Sequence, residues 1–294
     1  MKQSSTQRKD HSNPSLLSGP RLKQSQLTVL TSRPFAHRGL HGFFNPSTYQ
    51  KYPDTPPLHK PFFFIPENTL ASFQLAIQNQ LAIELDLHYT KDHRLVIFHD
   101  NNTFRLTQIS QKIKHSTLAD IQKLQLLSPS QKSKNPFSKK YTSQIPTLES
   151  ALQLIAGKTP LLIELKSEFN VNYRRFCQQT ADLLQKYQEQ CQNAPVAIKS
   201  FDPRIVNWFL RYSPKVPSGL LISSHPKPLY YLGLSLLKFP FNLWFKPDFL
   251  SVDKKIIQHI SIQNYRRSHP ILCWVLSSGT EDHYQKYTDN YIIE

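Results

Sequence analysis

The sequence predicts an α/β fold, a TIM-like (β/α)8 barrel with a small insertion after the second strand region. Three observations lead there. Strand-like apolar runs alternate with amphipathic, helix-like segments, the pattern of a parallel sheet built from βα units. Those runs number eight, at 33–37, 82–88, 160–166, 196–201, 219–223, 248–252, 271–276 and 290–294. Finally, 294 residues exceed a typical single core but suit one barrel with an insertion.

Between the strands, 69–79 places Leu70, Phe73 and Ile77 on one face at spacings of three and four, and Asn68 before it is a good N-cap. Segments 147–155, 173–190, 203–212 and 254–267 read as helices in the same way. Residues 101–146 are too many for an ordinary strand-to-helix connection, so they read as an excursion that caps one side of a site, with a short helix near 118–126. Residues 1–32 read as a flexible, basic extension, and 33–294 as the barrel domain. The sequence stops directly after the eighth strand, so the helix that closes a full barrel is either absent or replaced by the N-terminal extension.

Lys and Arg number 36 against 20 Asp and Glu, a formal charge of +16 that favours polyanions, anionic lipid surfaces and phosphate-bearing substrates. Part of the excess lies in 1–33 and in 128–141, both read as solvated segments. The three cysteines, Cys177, Cys191 and Cys273, form no CxxC pair, which argues against a zinc knuckle or a disulfide framework and for a reducing compartment. The N-terminus lacks the apolar stretch of a secretory signal. Residues 229–245 are apolar but broken by Lys238, Pro240 and Asn242, short of the roughly 20 residues of a membrane span. They read as a buried helix and loop, or as an apolar surface that meets lipid. The expected setting is cytoplasmic, with peripheral contact to an anionic membrane left open.

The chemistry concentrates in a few short runs. Ala36-His37-Arg38-Gly39 ends the first strand with a proton-exchanging imidazole, a guanidinium fork suited to phosphate and a glycine for a close turn. In Glu84-Leu85-Asp86 the two carboxylates share one strand face. Burying them requires either a cation or nearby Lys and Arg. Glu164-Leu165-Lys166 repeats the device on the third strand. Glu84, Asp86 and Glu164 together form an all-oxygen set suited to one hard divalent cation, Mg²⁺, Ca²⁺ or Mn²⁺. Lys166 stands where it could hold a phosphate oxygen. The run 96–100 delivers His99 beside Asp100, an acid that could orient it. His88, His93 and His115 read as surface or structural groups.

The ordered set AHRG (36–39), PENT (66–69), ELD (84–86), TKD (90–92), FHD (98–100), IPTLE (145–149), IELK (163–166), SFDP (200–203) and WVLS (274–277) resembles the glycerophosphodiester phosphodiesterase family over 34–294. That resemblance implies His37 and His99 as acid and base, Arg38 and Lys166 as phosphate binders, and Glu84, Asp86 and Glu164 as metal ligands. It implies that Glu67 supports the metal, His37 or the substrate, with stabilisation of a helix N-terminus as the alternative. Trp274 corresponds to a pocket aromatic, or else packs in the core. The implied substrate is a small glycerophosphodiester, cleaved to glycerol 3-phosphate and an alcohol. A lysophospholipase D-like activity on the same barrel is the alternative, and nucleic acid is not an expected partner. Three departures stand out: 26 residues between Gly39 and Pro66, which form a lid or a rigid loop; missing glycines around 80–82; and the end after Glu294.

Overall fold

The computed structural model describes residues 24–45, 51, 63–127, 144–192, 194–224, 246–277 and 279–294. Strands β1 (Phe35–Ala36), β4 (Ala82–Tyr89), β6 (Leu161–Leu165), β7 (Val196–Ser200), β8 (Ser218–Ile222), β9 (Phe249–Asp253), β10 (Ile271–Leu276) and β11 (Asn290–Ile293) pair in parallel in that order. Pairing of β1 with both β4 and β11 closes the ring. All eight coincide with the apolar runs, although β1 is only two residues long.

Strand periodicity divides each sequence between two environments. Ile83, Leu85, Leu87, Leu161, Ile163, Leu165, Val196 and Ile198 face outward into one buried cluster. There they meet helices α2 (Leu70–Gln78), α5 (Leu148–Ile155), α6 (Tyr173–Gln190) and α7 (Pro203–Tyr212). The alternate residues Phe35, Ala82, Leu162, Ala197, Phe249, Leu272 and Ile292 meet one another inside the ring as an apolar floor. Two residues further along these strands come His37, Glu84, Glu164, Lys199, Ser251, Trp274 and Glu294. The polar layer is thus the same inward-facing stripe, one step toward the C-terminal ends.

Three sequence readings need correction. The segment read as a flexible extension contains helix α1 (Gln24–Thr31), whose Val29 and Leu30 are buried against the barrel floor. Asn290 Nδ2 ties it down by donating to the carbonyls of Leu30 and Arg33. Its polar composition hid it, because only one apolar edge is used. The cap of α2 is Thr69, not Asn68: its hydroxyl accepts from Ser72 N–H while Ser72 Oγ accepts from Thr69 N–H. The helix read at 254–267 is shorter, α8 (Ile260–Arg266), because Asp253 ends β9 by accepting from Lys255 N–H and starts a turn. The strand-like run 96–100, not counted among the eight, is indeed a strand, β5 (Leu95–Ile97), antiparallel to β4 and outside the ring.

The long departure between Gly39 and Pro66 begins and ends in a two-stranded ribbon, β2 (Gly42–Phe44) with β3 (Phe63–Ile65). Residues 46–50 and 52–62 of it lie outside the described residues, as do the basic run 128–141 and the apolar run 229–245. The described part of the 101–146 excursion holds α3 (Phe104–Thr107) and α4 (Leu118–Gln122) around its own small core of Val96, Phe98, Ile113, Ile121 and Leu124.

Candidate active site

At the end of β1 the chain turns through Arg38 in the left-handed region (φ 54) and Gly39 (φ 76). A Cβ on Gly39 would strike Ser72 and Phe73, so this turn excludes any side chain. The turn aims Arg38 N–H at Glu84 Oε2, 3.0 Å away, and places the guanidinium over the acids. Its Nη1 donates to Glu67 Oε1 at 2.8 Å, and its Nε lies 3.5 Å from Asp86 Oδ2. Burial alone would lower the Arg38 pKa, but Asp86, Glu67 and Glu84 raise it above the ordinary value.

Asn68, also left-handed at φ 56, joins this turn to β4. Its Nδ2 donates to Asp86 Oδ2 at 2.9 Å, its Oδ1 accepts from Asp86 N–H at 3.2 Å, and its own N–H donates to Arg38 O at 2.8 Å. One asparagine therefore fixes a carboxylate and an arginine together.

Glu84, Asp86 and Glu164 are buried, and each offers an oxygen within 4.8 Å of the others. Two ammonium groups accompany them. Lys166 Nζ lies 2.8 Å from Asp86 and 2.5 Å from Glu164. Lys199 Nζ lies 2.8 Å from Glu84 and 3.5 Å from Glu164. Burial opposes ionisation of Asp86, yet Lys166, His99 and Arg38 hold its carboxyl well below the usual range. Glu164 is lowered against the same penalty by Lys166 and Lys199. Of the two ways of accommodating buried acids that the sequence left open, pairing with lysines is seen directly, and the acid oxygens also converge. The donor set is all oxygen and fits a hard divalent cation.

Each candidate histidine has a carboxylate at Nδ1. His99 Nδ1 is 2.6 Å from Asp100 Oδ1, and Asp100 is fixed by Arg105 of α3, whose Nε donates at 2.6 Å. Burial would raise the Asp100 carboxyl, but its bonds to His99 and Arg105 bring it below the usual range. His37 Nδ1 lies 3.4 Å from Glu294 Oε2. Contact with His37 is the chief cause that lowers Glu294 to about 2, with burial opposing. His88 is buried, with Nδ1 3.3 Å from Glu168 and Nε2 3.2 Å from His99 O, a structural role under the His99 backbone.

Glu67 contacts neither His37 nor the acid cluster. It accepts from Arg38 and, through both oxygens, from Arg105 at 2.6 and 2.9 Å, so its support of the site passes through two arginines. Trp274 meets Phe201 edge-on at 6.1 Å, and its indole N–H is buried without a hydrogen-bond partner. A cavity of about 130 Å³ opens among His37, Arg38, Asp86, His99, Glu164, Lys166, Lys199, Phe201 and Trp274.

Every candidate borders this cavity or, like Glu84 and Glu67, contacts a residue that does. Sequence reasoning missed Lys199, Arg105, Asn68 and Glu294. A signal existed for Lys199: a lone lysine in the apolar run Pro195-Val-Ala-Ile-Lys, in register with Glu164. None existed for Arg105, which reaches Glu67 across 38 positions from an irregular excursion.

Fold and site together define a parallel α/β-barrel protein with a polar, phosphate-compatible centre at the C-terminal ends of its strands. The chain belongs to the Glycerophosphoryl diester phosphodiesterase family, whose pattern matches residues 37–264. It is 33% identical over 163 residues, 54% of its length, to a Bacillus subtilis protein provisionally named as a glycerophosphodiester phosphodiesterase, of which the match spans 61%. It is 30% identical over 187 residues to the glycerophosphodiester phosphodiesterase of Caldanaerobacter subterraneus, covering 61% of this chain and 72% of that one. Among solved structures, an Oleispira antarctica phosphodiesterase in complex with the product sn-glycerol-3-phosphate superposes with a TM-score of 0.63 at 20% identity, over 90% of this chain and 93% of that one.

Proposed function

We propose that this protein hydrolyses glycerophosphodiesters to glycerol 3-phosphate and an alcohol, using His37 and His99 as acid and base. The observation that carries the reading is the small cavity in which two carboxylate-paired histidines, Arg38 and Lys166 converge above three buried acids. Membership in the family and the product bound in the Oleispira relative support the same substrate class.

Arg38 and Lys166 are placed to hold the nonbridging oxygens of a phosphodiester and to stabilise the charge that builds there in the transition state. Glu84, Asp86 and Glu164 would hold one divalent cation of the Mg²⁺, Ca²⁺ or Mn²⁺ type. When bound, such an ion supplies Lewis-acid stabilisation of the phosphoryl oxygens. One histidine takes the proton of the attacking hydroxyl, from water or the adjacent glycerol, and the other protonates the departing alcohol. Asp100 bonds His99 at Nδ1 and Glu294 lies 3.4 Å from His37 Nδ1, an arrangement that would leave Nε2 of each ring for proton transfer. Trp274 and Phe201 give the pocket an apolar wall for the glycerol carbons. A volume this small favours a head group over an acyl chain.

Among the described residues no helix is long and apolar enough to cross a membrane. Three free thiols support a cytoplasmic setting, and the charge of +16 supports peripheral contact with anionic lipid.

Hydrolysis of glycerophosphocholine with Mg²⁺ or Mn²⁺ and after chelation, in the unmodified protein and in His37→Ala and His99→Ala, tests this reading. Metal-dependent activity lost in both variants is expected. Unchanged activity in both variants contradicts the assignment, and turnover of lysophosphatidylcholine alone would replace the substrate.

A further inference from the structure

A second set of ligand atoms lies beside the first. His37, His41 and Glu294 each offer one ligand atom, and these atoms all fall within 4.8 Å of one another. Glu294 divides its oxygens, with Oε2 3.4 Å from His37 Nδ1 and Oε1 3.6 Å from His41 Nε2. Both ring nitrogens are buried, and each meets its Glu294 oxygen only at this long, ion-pair distance, short of good hydrogen-bond geometry. Two buried imidazole nitrogens that share one carboxylate at such long distances leave room for a cation between them.

We propose that His37, His41 and Glu294 form a binding site for Zn²⁺, distinct from the all-oxygen cluster, through which zinc inhibits the enzyme. Two imidazoles and one carboxylate are a borderline-soft set that suits zinc better than magnesium or calcium, and three protein ligands leave a fourth position for water. With bonds of about 2.0–2.1 Å, tetrahedral ligand atoms sit roughly 3.4 Å apart. The two nitrogen-to-oxygen distances, one to each oxygen of Glu294, are near that spacing.

Local structure favours these ligands. The left-handed turn at Arg38 and Gly39 and the extended turn at Gly42 (φ 113) fold the short run His37–Gly42 back on itself, bringing its two histidines together. Glu294 follows Ile292 on the inward stripe of β11, which pairs with β1 beside His37. Lys51 and Arg38 oppose a cation at this place, whereas Glu67 and Glu294 favour one.

The consequence for catalysis rests on the role proposed for His37. An imidazole bonded to zinc through Nδ1 carries its one proton on Nε2 and has no lone pair left to accept another. It can no longer pass a proton in either direction during turnover.

The test uses the full chain with Mg²⁺ in excess. Zinc binding is followed by calorimetry and the visible spectrum of the Co²⁺ adduct, for the unmodified protein, His41→Ala, Glu294→Gln and Glu164→Gln. One zinc should bind the unmodified protein and Glu164→Gln, with the intense Co²⁺ band of a four- or five-coordinate nitrogen-containing site. At least a tenfold loss of affinity is expected in both His41→Ala and Glu294→Gln. Glu294 is half exposed, so its variant serves if His41→Ala does not fold. Zinc should inhibit the unmodified enzyme but spare His41→Ala, each compared with its own zinc-free rate. Equal zinc affinity in the unmodified protein and both site variants overturns the proposal, as does zinc binding that disappears only in Glu164→Gln. Because binding is read without turnover, failure of the zinc site and failure of the hydrolytic reading give different results.

Discussion

Asp100 illustrates what single residues contribute here. Its two oxygens have separate duties: Oδ1 meets His99 Nδ1 and Oδ2 accepts from Arg105. In Asp100→Asn the shape stays but the charge goes, and the amide can turn its NH2 toward the ring, which then favours the wrong tautomer. A fall in kcat on the order of a hundredfold or more is expected, with a smaller change in KM and a shifted pH–rate profile. An unaltered profile would remove Asp100 from the proton pathway. At this scale the sequence was most legible where the residue type is costly to bury. Glu84, Asp86 and Glu164 stand out on buried strands for that reason. Asn68 did not, because its left-handed backbone and double bond to Asp86 leave no periodic trace. His41 was equally hidden: the carboxylate it faces, Glu294, is 253 positions away, just past the strand that closes the ring.

Among the elements, the helices and strands with two-faced patterns were read correctly and the one-edged ones were not. Helices α6 and α7 run from Tyr173 to Gln190 and from Pro203 to Tyr212, the bounds the periodicity gives. Helix α1 escaped because QSQLTVLT has the composition of a solvated tail, and only the barrel floor makes its apolar edge useful. Helix α2 is the element whose ends matter most to the site, since its capping box also anchors the turn at Arg38 through Ser72 Oγ, which donates to Arg38 O at 3.1 Å. Thr69→Ala removes the acceptor for Ser72 N–H and the donor to Pro66 O. A loss of about 1–2 kcal/mol is expected in urea unfolding. A loss of a few tenths at most would show that Ser72 and the Asn68 bonds hold the turn without the cap.

For the whole molecule, the floor of the barrel and the polar layer above it depend on one another. The apolar floor excludes water from beneath the acids, and α1 covers that floor from outside. Leu30 is fully buried within this contact. Leu30→Ala should cost about 2–5 kcal/mol in denaturant unfolding, at the upper end if the floor does not collapse into the void. A cost under 1 kcal/mol would mean that α1 is not part of the cooperative unit.

The charged layer also sets how the molecule responds to acid. In His41 burial lowers the pKa from 6.5 to about 4, so the unfolded chain takes up a proton that the folded chain refuses. Stability from this group is fully present above pH 6.5 and is lost as pH falls toward 4. Glu294 is lowered from 4.5 to about 2, and Asp86, Glu164 and Glu67 are lowered as well. Their contributions are present above the ordinary carboxylate range and disappear as pH falls through it. Every one of these signs agrees, because in each case the unfolded state binds more protons. Melting temperature should therefore fall in two stages on acidification, first between pH 6.5 and 4 and more steeply below 4.5. His41→Gln should flatten the first stage and leave the second in place. An unchanged first stage in that variant would assign the neutral-to-acid loss to another group.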